Sequence, residues 1–449
     1  MQDLNLRIEG DINFSEERKK WTTKLDQETK LVLAEDEKIF MHQSLSTPCF
    51  NVISACYGIY LEDLHGNKIM DFHGNNVHQV GYRNEYVMNK VKAQMDVLPF
   101  SPRRYTNSIS IEFSEKLLSY FPPQLNRLLY APGGTSAIGM ALKLARVVTG
   151  KQKIVSLHDS FHGASIDAIA AGGEEQFKKY MGEFPDTINI SQPKTALGVN
   201  ANQDSLAEAN ELEEVLKNDK SIGAFIAETV RNTDVIVSSK SYWKRIREIC
   251  TKYGVLLILD EIPIAFGRTG AMFAFEHFGI VPDIVCLGKG MGAGIIPMAG
   301  IVTKEEYNIA SDIALGHYTF EKNPLGAAAG LAMLEFLEDN KIIEKVISDQ
   351  EFMNEQLLKL YHVHSAIGDV RGIGLLWAIE LVVDRTTMEK NCDLAEKVMY
   401  YALKHGMNFK VSGGNVIQLS PALIINREEL QRAVKIIDNA LQELSQSLV

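Results

Sequence analysis

The stretch Val255-Leu256-Leu257-Ile258-Leu259-Asp260-Glu261 places two acids directly after five apolar residues. A short run that is apolar throughout, rather than alternating with polar residues, predicts a strand covered on both faces. Similar runs occur at residues 127–131, 153–157, 223–227 and 283–287, with longer helical patterns between them. The pattern predicts an α/β fold in which a mostly parallel sheet is sandwiched by helices.

The length of 449 residues exceeds what one hydrophobic core usually holds, about 250 to 300 residues, so two closely packed domains are expected. Residues 58–72 read as a hairpin. After residue 325 the pattern changes to helices at 326–330 and 427–444, with one strand at 370–381 and another at 416–419. We predict three segments: an arm and hairpin at 1–72 that belong to the small domain, a large cofactor-binding domain at 73–325, and an α+β small domain at 326–449.

The chain is acidic, with 46 basic and 57 acidic residues and a net charge of −11. Such a field repels phosphate backbones and anionic lipid surfaces, so neither nucleic acid nor a membrane is expected as a partner. The five cysteines are scattered without the spacing of a zinc or redox site, and no metal site is predicted. With no long apolar segment either, we expect a soluble, cytoplasmic protein.

Asp260 stands at the mouth of a predicted buried strand, where open parallel sheets bind their ligands. A lone Asp there is more often a helix cap or part of a structural ion pair. It also fits the Walker B acid that holds magnesium in P-loop NTPases, but that interpretation requires a Gly-x-x-x-x-Gly-Lys-Ser/Thr loop. Gly288-Lys289 is followed by Gly290 and lacks the upstream glycine, so another role for Asp260 fits better.

Lys289 follows the neighbouring apolar run and lies between glycines that permit close approach to its backbone. A lysine alone is usually a solvated surface residue. A pyridoxal 5′-phosphate (PLP) site, however, needs a lysine to form a Schiff base with the aldehyde and a carboxylate to keep the pyridine nitrogen protonated. Lys289 and Asp260 supply this pair, which predicts a PLP enzyme acting on an amine.

Two further stretches complete the predicted cofactor site. Gly134-Thr135-Ser136 lies between the first apolar run and a helix, where backbone amides and hydroxyls bind a phosphate well; an ordinary helix start is the alternative. Phe161 follows the next run and could stack on the pyridine ring, or it could be a core residue.

With these motifs in place, the sequence resembles the class III aminotransferases, a family of fold-type-I PLP enzymes, over nearly its whole length. The resemblance is carried by five segments in the family's order: 141–146, 259–262 with 266–270, 283–290, 317–325 and 371–375. It implies that Glu228 lies near the cofactor. It also implies a homodimer or a dimer of dimers in which Thr319 reaches the PLP phosphate of the neighbouring subunit.

The departures from the family pattern fall on residues that select the substrate. Pro263 replaces a Gln that bonds the cofactor's phenolic oxygen, Gln418 replaces an Arg that grips an α-carboxylate, and Thr233 replaces that arginine's acidic partner. Because both members of the ion pair are absent, an α-carboxylate is poorly provided for.

Three arginines offer other positive charges near the predicted site. Arg231 stands where the family commonly has Gln, and Arg103 and Arg104 precede a site helix. Guanidinium groups suit carboxylate, phosphate or phosphonate, so these residues are candidates for binding a small anionic amine. A location at the surface or in a dimer interface is the alternative for each.

The segments at 72–79 and 133–140 are similar to a subgroup of the family that includes an ammonia-lyase acting on 1-hydroxy-2-aminoethylphosphonate. The leading hypothesis is therefore an elimination that releases phosphonoacetaldehyde and ammonia. The alternative is an ω-aminotransferase that passes the amine to a keto acid. A non-catalytic relative that keeps the fold is a third hypothesis, and the presence of Lys289, Asp260 and Thr319 argues against it.

Overall fold

The computed structural model describes residues 15–43, 47–184, 186–201 and 205–446, so residues 1–14 of the predicted N-terminal arm lie outside the described part. Within these residues the strands are β1 Ile53–Tyr57, β2 Tyr60–Asp63, β3 Lys68–Asp71, β4 Leu125–Ala131, β5 Lys153–Leu157, β6 Thr187–Ile190, β7 Ile222–Glu228, β8 Leu256–Asp260, β9 Ile284–Leu287, β10 Ala299–Lys304, β11 Ile367–Ile373, β12 Leu376–Leu381, β13 Met407–Asn408, β14 Lys410–Ser412 and β15 Val416–Leu419. The α-helices are α1 Glu16–Lys24, α2 Gln27–Ile39, α3 Glu85–Val97, α4 Ser108–Leu118, α5 Gly134–Thr149, α6 Ile166–Ala171, α7 Glu175–Lys178, α8 Leu206–Asn218, α9 Lys240–Tyr253, α10 Pro324–Asp339, α11 Ile342–Val363, α12 Cys392–Lys404 and α13 Arg427–Gln446.

The largest sheet has the strand order β4-β10-β9-β8-β7-β5-β6. The pairs along β6-β5-β7-β8-β9 are parallel, whereas β10 runs antiparallel to both β9 and β4. Every residue of β7, β8 and β9 is buried, as expected for strands covered by helices on both faces. The predicted fold class is therefore confirmed, with one antiparallel strand that the sequence did not predict.

The helices that connect these strands begin and end with local signals in the sequence. The side chain of Ser239 accepts a hydrogen bond from the Tyr242 amide at the start of α9, and Gly254 ends the helix with φ of 61°. The face of α9 that carries Trp243 and Ile246 is buried against the sheet. The helix contacts β8, the strand that ends at Asp260.

A second sheet has the order β11-β12-β15-β14 and is antiparallel throughout. The apolar stretch at 370–381 is two strands rather than one, because the chain turns at Gly374 with φ of 60°. A Cβ at Gly374 would lie 2.3 Å from the carbonyl oxygen of Arg268, so the turn needs glycine for both its conformation and its close packing.

A third sheet has the order β1-β2-β3-β13 and joins distant parts of the chain. The predicted hairpin forms as β2 and β3, and β3 then pairs in parallel with β13. The Met70 amide donates to the Gly406 carbonyl at 2.9 Å, and the Phe72 amide donates to the Asn408 carbonyl at 2.8 Å. The residues that follow β3 and β13 are thereby held close together.

The boundaries between the three predicted segments, at residues 72 and 325, stay a prediction.

None of the described helices is both long and apolar enough to cross a membrane.

Candidate active site

A cavity of about 630 Å³ opens where the carboxyl ends of the parallel strands meet residues from the two smaller sheets. Its lining residues are Phe50, His73, Asn75, Asn76, Gly134, Thr135, Phe161, His162, Gly163, Glu228, Asn232, Thr233, Asp260, Ile262, Pro263, Lys289, Met399, Asn408, Phe409, Lys410 and Val411. The location agrees with the rule that open parallel sheets bind ligands beyond the carboxyl ends of their strands. Lys289, Asp260, Gly134, Thr135, Phe161 and Glu228, six of the residues chosen from the sequence, are brought together here.

Asp260 ends β8 and is held by two hydrogen bonds. Its Oδ1 accepts from the Ile262 amide at 3.0 Å, and its Oδ2 lies 2.8 Å from Nδ1 of His162. Both side chains are almost completely buried, and Nε2 of His162 has no hydrogen-bond partner among the described residues. The imidazole thus orients the carboxylate, a position that suits a group required to face a protonated ring nitrogen.

Lys289 directly follows Gly288 after β9 and has φ of 47°, a left-handed conformation that is unusual for lysine. Such strain is typically found where the surrounding structure forces a functional side chain into place. Desolvation lowers the pKa of Lys289 below the usual lysine range, the neighbouring charge of Asp260 opposes this shift, and the charge of Lys410 adds to it. A lower pKa favours the neutral amine, which is the form that attacks an aldehyde or accepts a proton.

The start of α5 has the form of a phosphate cradle. Gly133 is its N-cap and supplies no side-chain hydrogen bond, so the first amides of this 16-residue helix are not capped by a side chain. A Cβ at Gly163 would lie 2.4 Å from Oγ1 of Thr135, so glycine there leaves the threonine hydroxyl its space. Gly134 and Thr135 line the cavity, whereas Ser136 in the same turn does not.

Phe161 is 39% exposed and packs on Phe177, with ring centroids 4.7 Å apart.

Glu228 ends β7 and is the cross-strand partner of Asp260. Its carboxylate accepts from the amides of Phe161 at 3.4 Å and Asn232 at 3.1 Å. It also lies 3.6 Å from a guanidinium nitrogen of Arg231. The carboxylate therefore ties the segment that follows β7 to the loop of Phe161.

The structure departs from the expectation that Arg231 presents its charge to an anion. Arg231 is 7% exposed, and its guanidinium lies 3.4 to 3.6 Å from carboxylate oxygens of Glu174, Glu228 and Asp234. It is not among the residues that line the cavity. Contact with a ligand would require breaking ion pairs that compensate a buried charge.

Arg103, Arg104 and Thr319 are also outside the cavity lining. Arg104 and Thr319 are exposed, and Nη1 of Arg103 donates to the carbonyl of His317 at 3.5 Å. The loop of Arg103 therefore contacts the loop of Thr319 at the protein surface.

The three departures from the family pattern lie in or next to the cavity wall. Pro263 and Thr233 line the cavity. Gln418 is buried behind the wall, where its Nε2 donates to the carbonyl of Asn232 at 2.8 Å. The uncharged side chain of Gln418 therefore supports the loop of Asn232, at the position where the family places an arginine.

Three titratable residues of the cavity lining, His73, His162 and Lys410, were not predicted as site residues from the sequence. His162 directly follows Phe161 in the sequence, and this place next to the predicted ring-stacking residue was a usable signal. His73 and Lys410 come from the two smaller sheets, and no local pattern marks them. Burial lowers the pKa of His73 to about 4, with Asp71 opposing this shift and Lys410 and Lys289 adding to it, so its imidazole is neutral at pH 7.

These residues fit PLP by their own chemistry. A lysine with a lowered pKa, a buried carboxylate held by a histidine, and a helix N-terminus beside a threonine hydroxyl match the aldehyde, the pyridine nitrogen and the phosphate. Fold and site together define a fold-type-I PLP-dependent enzyme.

Comparison with known proteins agrees with this class. The profile of the family described as aminotransferase class-III matches residues 41–441, and the chain belongs to that family. It is 50% identical to the (R)-1-hydroxy-2-aminoethylphosphonate ammonia-lyase of Vibrio splendidus, covering 99% of this chain and 97% of that protein. It is 30% identical to isoleucine 2-epimerase of Lentilactobacillus buchneri, covering 93% and 95% of the two chains.

Among solved structures, the taurine:2-oxoglutarate aminotransferase of Bifidobacterium kashiwanohense, in complex with PLP and glutamate, superposes with a TM-score of 0.87. The two sequences are 25% identical, and the match covers 95% of this chain and 100% of that chain. The family therefore includes transaminases and enzymes of other reaction types on one scaffold.

Proposed function

We propose that this protein is an ammonia-lyase that converts 1-hydroxy-2-aminoethylphosphonate to phosphonoacetaldehyde and ammonia. The observation that carries the proposal is the 50% identity, over nearly the full length of both chains, to the Vibrio splendidus ammonia-lyase. The aminotransferases among the relatives are 27% to 30% identical. The uncharged residues Thr233 and Gln418 support the same proposal, because they do not form the ion pair associated with an α-carboxylate.

In the proposed reaction Lys289, Asp260 and the cradle at 134–136 have separate tasks. When bound, PLP supplies an electron sink for the carbon that carries the substrate amine. Nζ of Lys289 removes the proton from that carbon, and Asp260 would keep the ring nitrogen protonated. The backbone amides of the cradle and the Thr135 hydroxyl would hold the phosphate, and Phe161 and Glu228 would position the ring.

The elimination balances without a second organic substrate. The C–H bond on the amine-bearing carbon breaks first. The C–O bond on the neighbouring carbon then breaks, and hydroxide leaves with the electron pair of that bond. The hydroxide takes up a proton to form water. The released enamine tautomerises to an imine, and one water hydrolyses it to ammonia and the aldehyde. No keto acid is consumed.

We expect the purified enzyme to release one ammonia per 1-hydroxy-2-aminoethylphosphonate with no keto acid present. The measurement is a coupled ammonia assay alongside phosphorus NMR of the product. 2-Aminoethylphosphonate is the control substrate, since it lacks the hydroxyl leaving group and should release none. Turnover that requires added pyruvate, with the amine recovered on alanine, would instead identify the ω-aminotransferase and overturn the lyase proposal.

We further propose a homodimer in which Thr319 completes the site of the neighbouring subunit. Thr319 is exposed and does not line the cavity of its own chain. Its loop carries exposed Phe320, whose ring lies 5.5 Å from that of exposed Phe100. Tyr105, which is close to Phe100 in sequence, is 68% exposed. An apolar surface around this loop suits contact with a second copy.

A mixed-subunit experiment tests this assignment. We expect Thr319→Val to weaken PLP binding about 10-fold through loss of one hydrogen bond to a dianion, and Thr319→Ser to retain most of the affinity. Co-refolding Thr319→Val chains with Lys289→Ala chains should restore sites of wild-type PLP affinity, because each mixed dimer then contains one intact set of residues. If PLP affinity in the mixture stays at the Thr319→Val level, Thr319 does not serve the neighbouring site.

A further inference from the structure

The cavity wall contains a turn with an unusual backbone conformation. Three consecutive residues, Gly74, Asn75 and Asn76, have positive φ angles of 46°, 46° and 57°. Residues other than glycine adopt this left-handed conformation singly, so a run of three that includes two asparagines is strained. Asn75 and Asn76 line the cavity. Strain of this kind persists only where other contacts hold it, and it is concentrated at functional sites.

Asp71 holds the start of this turn. It is the last residue of β3 and is 1% exposed. Its Oδ1 accepts hydrogen bonds from the amide of His73 at 3.0 Å and from the amide of Gly74 at 3.1 Å. These bonds fix the path of the chain as it leaves the strand and enters the left-handed residues.

The same carboxylate supports a second part of the cavity wall. Its Oδ1 also accepts from Nδ2 of Asn408 at 2.9 Å, and its Oδ2 accepts from the hydroxyl of Tyr82 at 2.6 Å. Asn408 lines the cavity. Four donors on one carboxylate favour its ionised form and fix its orientation. Asp71 therefore holds the turn and Asn408 in one fixed arrangement.

The far end of the turn is fixed to the loop that follows β7. Nδ2 of Asn76 donates to Oδ1 of Asn232 at 2.6 Å, and Nε2 of Gln79 donates to the carbonyl of Asn76 at 3.1 Å. Nε2 of Gln418 donates in turn to the carbonyl of Asn232. The turn thus connects the carboxylate of Asp71 to the part of the wall around Asn232.

The residues assigned to the cofactor under the proposed function lie on other segments. Lys289, Asp260 and Glu228 follow or end strands of the large sheet, whereas Asp71 and the turn belong to β3 and the residues after it. Burial is the main cause of the lowered pKa of His73, and the charge of Lys289 adds to it. The turn therefore begins within electrostatic reach of that lysine.

We propose that Asp71 is a positioning residue for the substrate, because it holds the turn at 74–76 and Asn408 where they contact the part of the substrate beyond its amine. The proposal rests on the proposed function for the identity of that substrate. Asp71 itself does not line the cavity. Its removal is therefore expected to change substrate binding and not proton removal by Lys289.

Two substitutions separate the position of this carboxylate from its charge. Asp71→Asn keeps an oxygen for the amides of His73 and Gly74, whereas Asp71→Ala removes both oxygen and charge. The ligand is 2-aminoethylphosphonate, which lacks the leaving group, and its dissociation constant from the PLP-loaded enzyme is measured by calorimetry. We expect a rise of about 10- to 100-fold in Asp71→Ala and of less than about 3-fold in Asp71→Asn.

Kinetics and absorbance provide a second measurement on the same variants. With 1-hydroxy-2-aminoethylphosphonate, Asp71→Ala should raise KM far more than it lowers kcat. The visible absorbance of the lysine-bound cofactor should be the same as in the wild type. If Asp71→Ala does not fold, Asp71→Glu replaces it, since it keeps the charge and moves the oxygens by one methylene group. Its affinity for 2-aminoethylphosphonate should fall although the charge is present.

Hydrogen–deuterium exchange follows the turn without any ligand. In Asp71→Ala the amides of residues 73–77 should exchange at least about 10-fold faster than in the wild type, because the amides of His73 and Gly74 lose their acceptor. Asp71→Asn should keep the wild-type exchange rates. Faster exchange with unchanged affinity for 2-aminoethylphosphonate would show that the turn does not contact the substrate and would overturn the proposal.

Asp63→Ala is the matched control. Oδ1 of Asp63 accepts from the amides of His65 and Asn67, both at 2.9 Å, in the hairpin turn between β2 and β3. Neither Asp63 nor this hairpin turn lines the cavity. The substitution removes the same kind of support from the same sheet, and it should leave the dissociation constant and KM unchanged.

Other outcomes would also overturn the role of Asp71. An equal loss of affinity in Asp63→Ala would show a general effect on the sheet, and equal losses in Asp71→Asn and Asp71→Ala would assign the effect to the charge. Loss of bound PLP in Asp71→Ala would assign the residue to the cofactor. Failure of the proposed function is separate, because a wild type that releases no ammonia overturns the lyase while calorimetry and exchange still decide the role of Asp71.

Discussion

Replacing Lys289 with alanine is expected to abolish turnover, with a fall of at least about 10⁴-fold in kcat, because the residue both holds the cofactor and moves the proton. The purified wild-type protein should show the visible absorbance of a lysine-bound PLP, and the variant should lack it. Lys289 has φ of 47°, and alanine is strained there to a similar extent, so the backbone should keep its conformation.

Lys289→Arg is the informative companion variant. It keeps the positive charge and much of the volume, but guanidinium neither forms the linkage to the aldehyde nor accepts a proton at neutral pH. Both variants should therefore be inactive, while circular dichroism and thermal unfolding of the cofactor-free proteins show that they fold. An absorbance band or more than a small residual turnover in Lys289→Ala would assign the chemistry to another residue.

Asp260→Asn is expected to lower kcat by about 10² to 10⁴-fold while the lysine-bound cofactor still forms. Asparagine keeps the shape and can still accept from the Ile262 amide and bond His162, so both contacts at 3.0 Å and 2.8 Å can persist. What it removes is the negative charge required to keep a ring nitrogen protonated. The loss should appear in kcat, with the absorbance of the resting enzyme largely retained.

A weaker effect is expected from His162→Gln, since His162 acts through Asp260 and does not itself need to contact the cofactor. Its loss should reduce kcat about 10-fold, and the double variant should be no slower than Asp260→Asn alone, because the two residues form one unit. Additive losses would show that His162 has a separate task. Turnover of Asp260→Asn within about 10-fold of wild type would remove Asp260 from the catalytic set.

The parts of the fold that the sequence predicts are those specified by short-range patterns. The apolar run at 255–259 became β8, shifted by one residue so that Asp260 is its last member. By contrast, β10 was missed because its glycine and its polar end, Thr303-Lys304, give it no continuous apolar run. The turn at Gly374 was missed because it divides a stretch that is apolar on both sides.

The residues of the candidate site fall into the same two groups, those that a local sequence pattern marks and those that it does not. Asp260, Lys289 and Gly134 follow recognisable strands, so the carboxyl edge of one sheet brings them together and a linear pattern is enough to find them. Lys410 and His73 reach the cavity from other sheets, through pairings between residues far apart in sequence. Two carboxylates near Arg231, those of Glu228 and Asp234, are three residues away in sequence, whereas Glu174 lies on a separate segment and its ion pair with Arg231 has no local signal.

The pairing of β3 with β13 has a consequence for how the protein is made. Asp71 and Asn408, which hydrogen-bond across this pair, are separated by 337 residues in sequence. At translation rates of roughly 5 to 20 residues per second, the edge of β3 leaves the ribosome roughly 20 seconds to a minute before its partner is synthesised. His73 and Lys410 therefore meet only when the chain is nearly complete. During that interval the nascent protein carries an unpaired strand edge, and such edges can pair incorrectly with other chains.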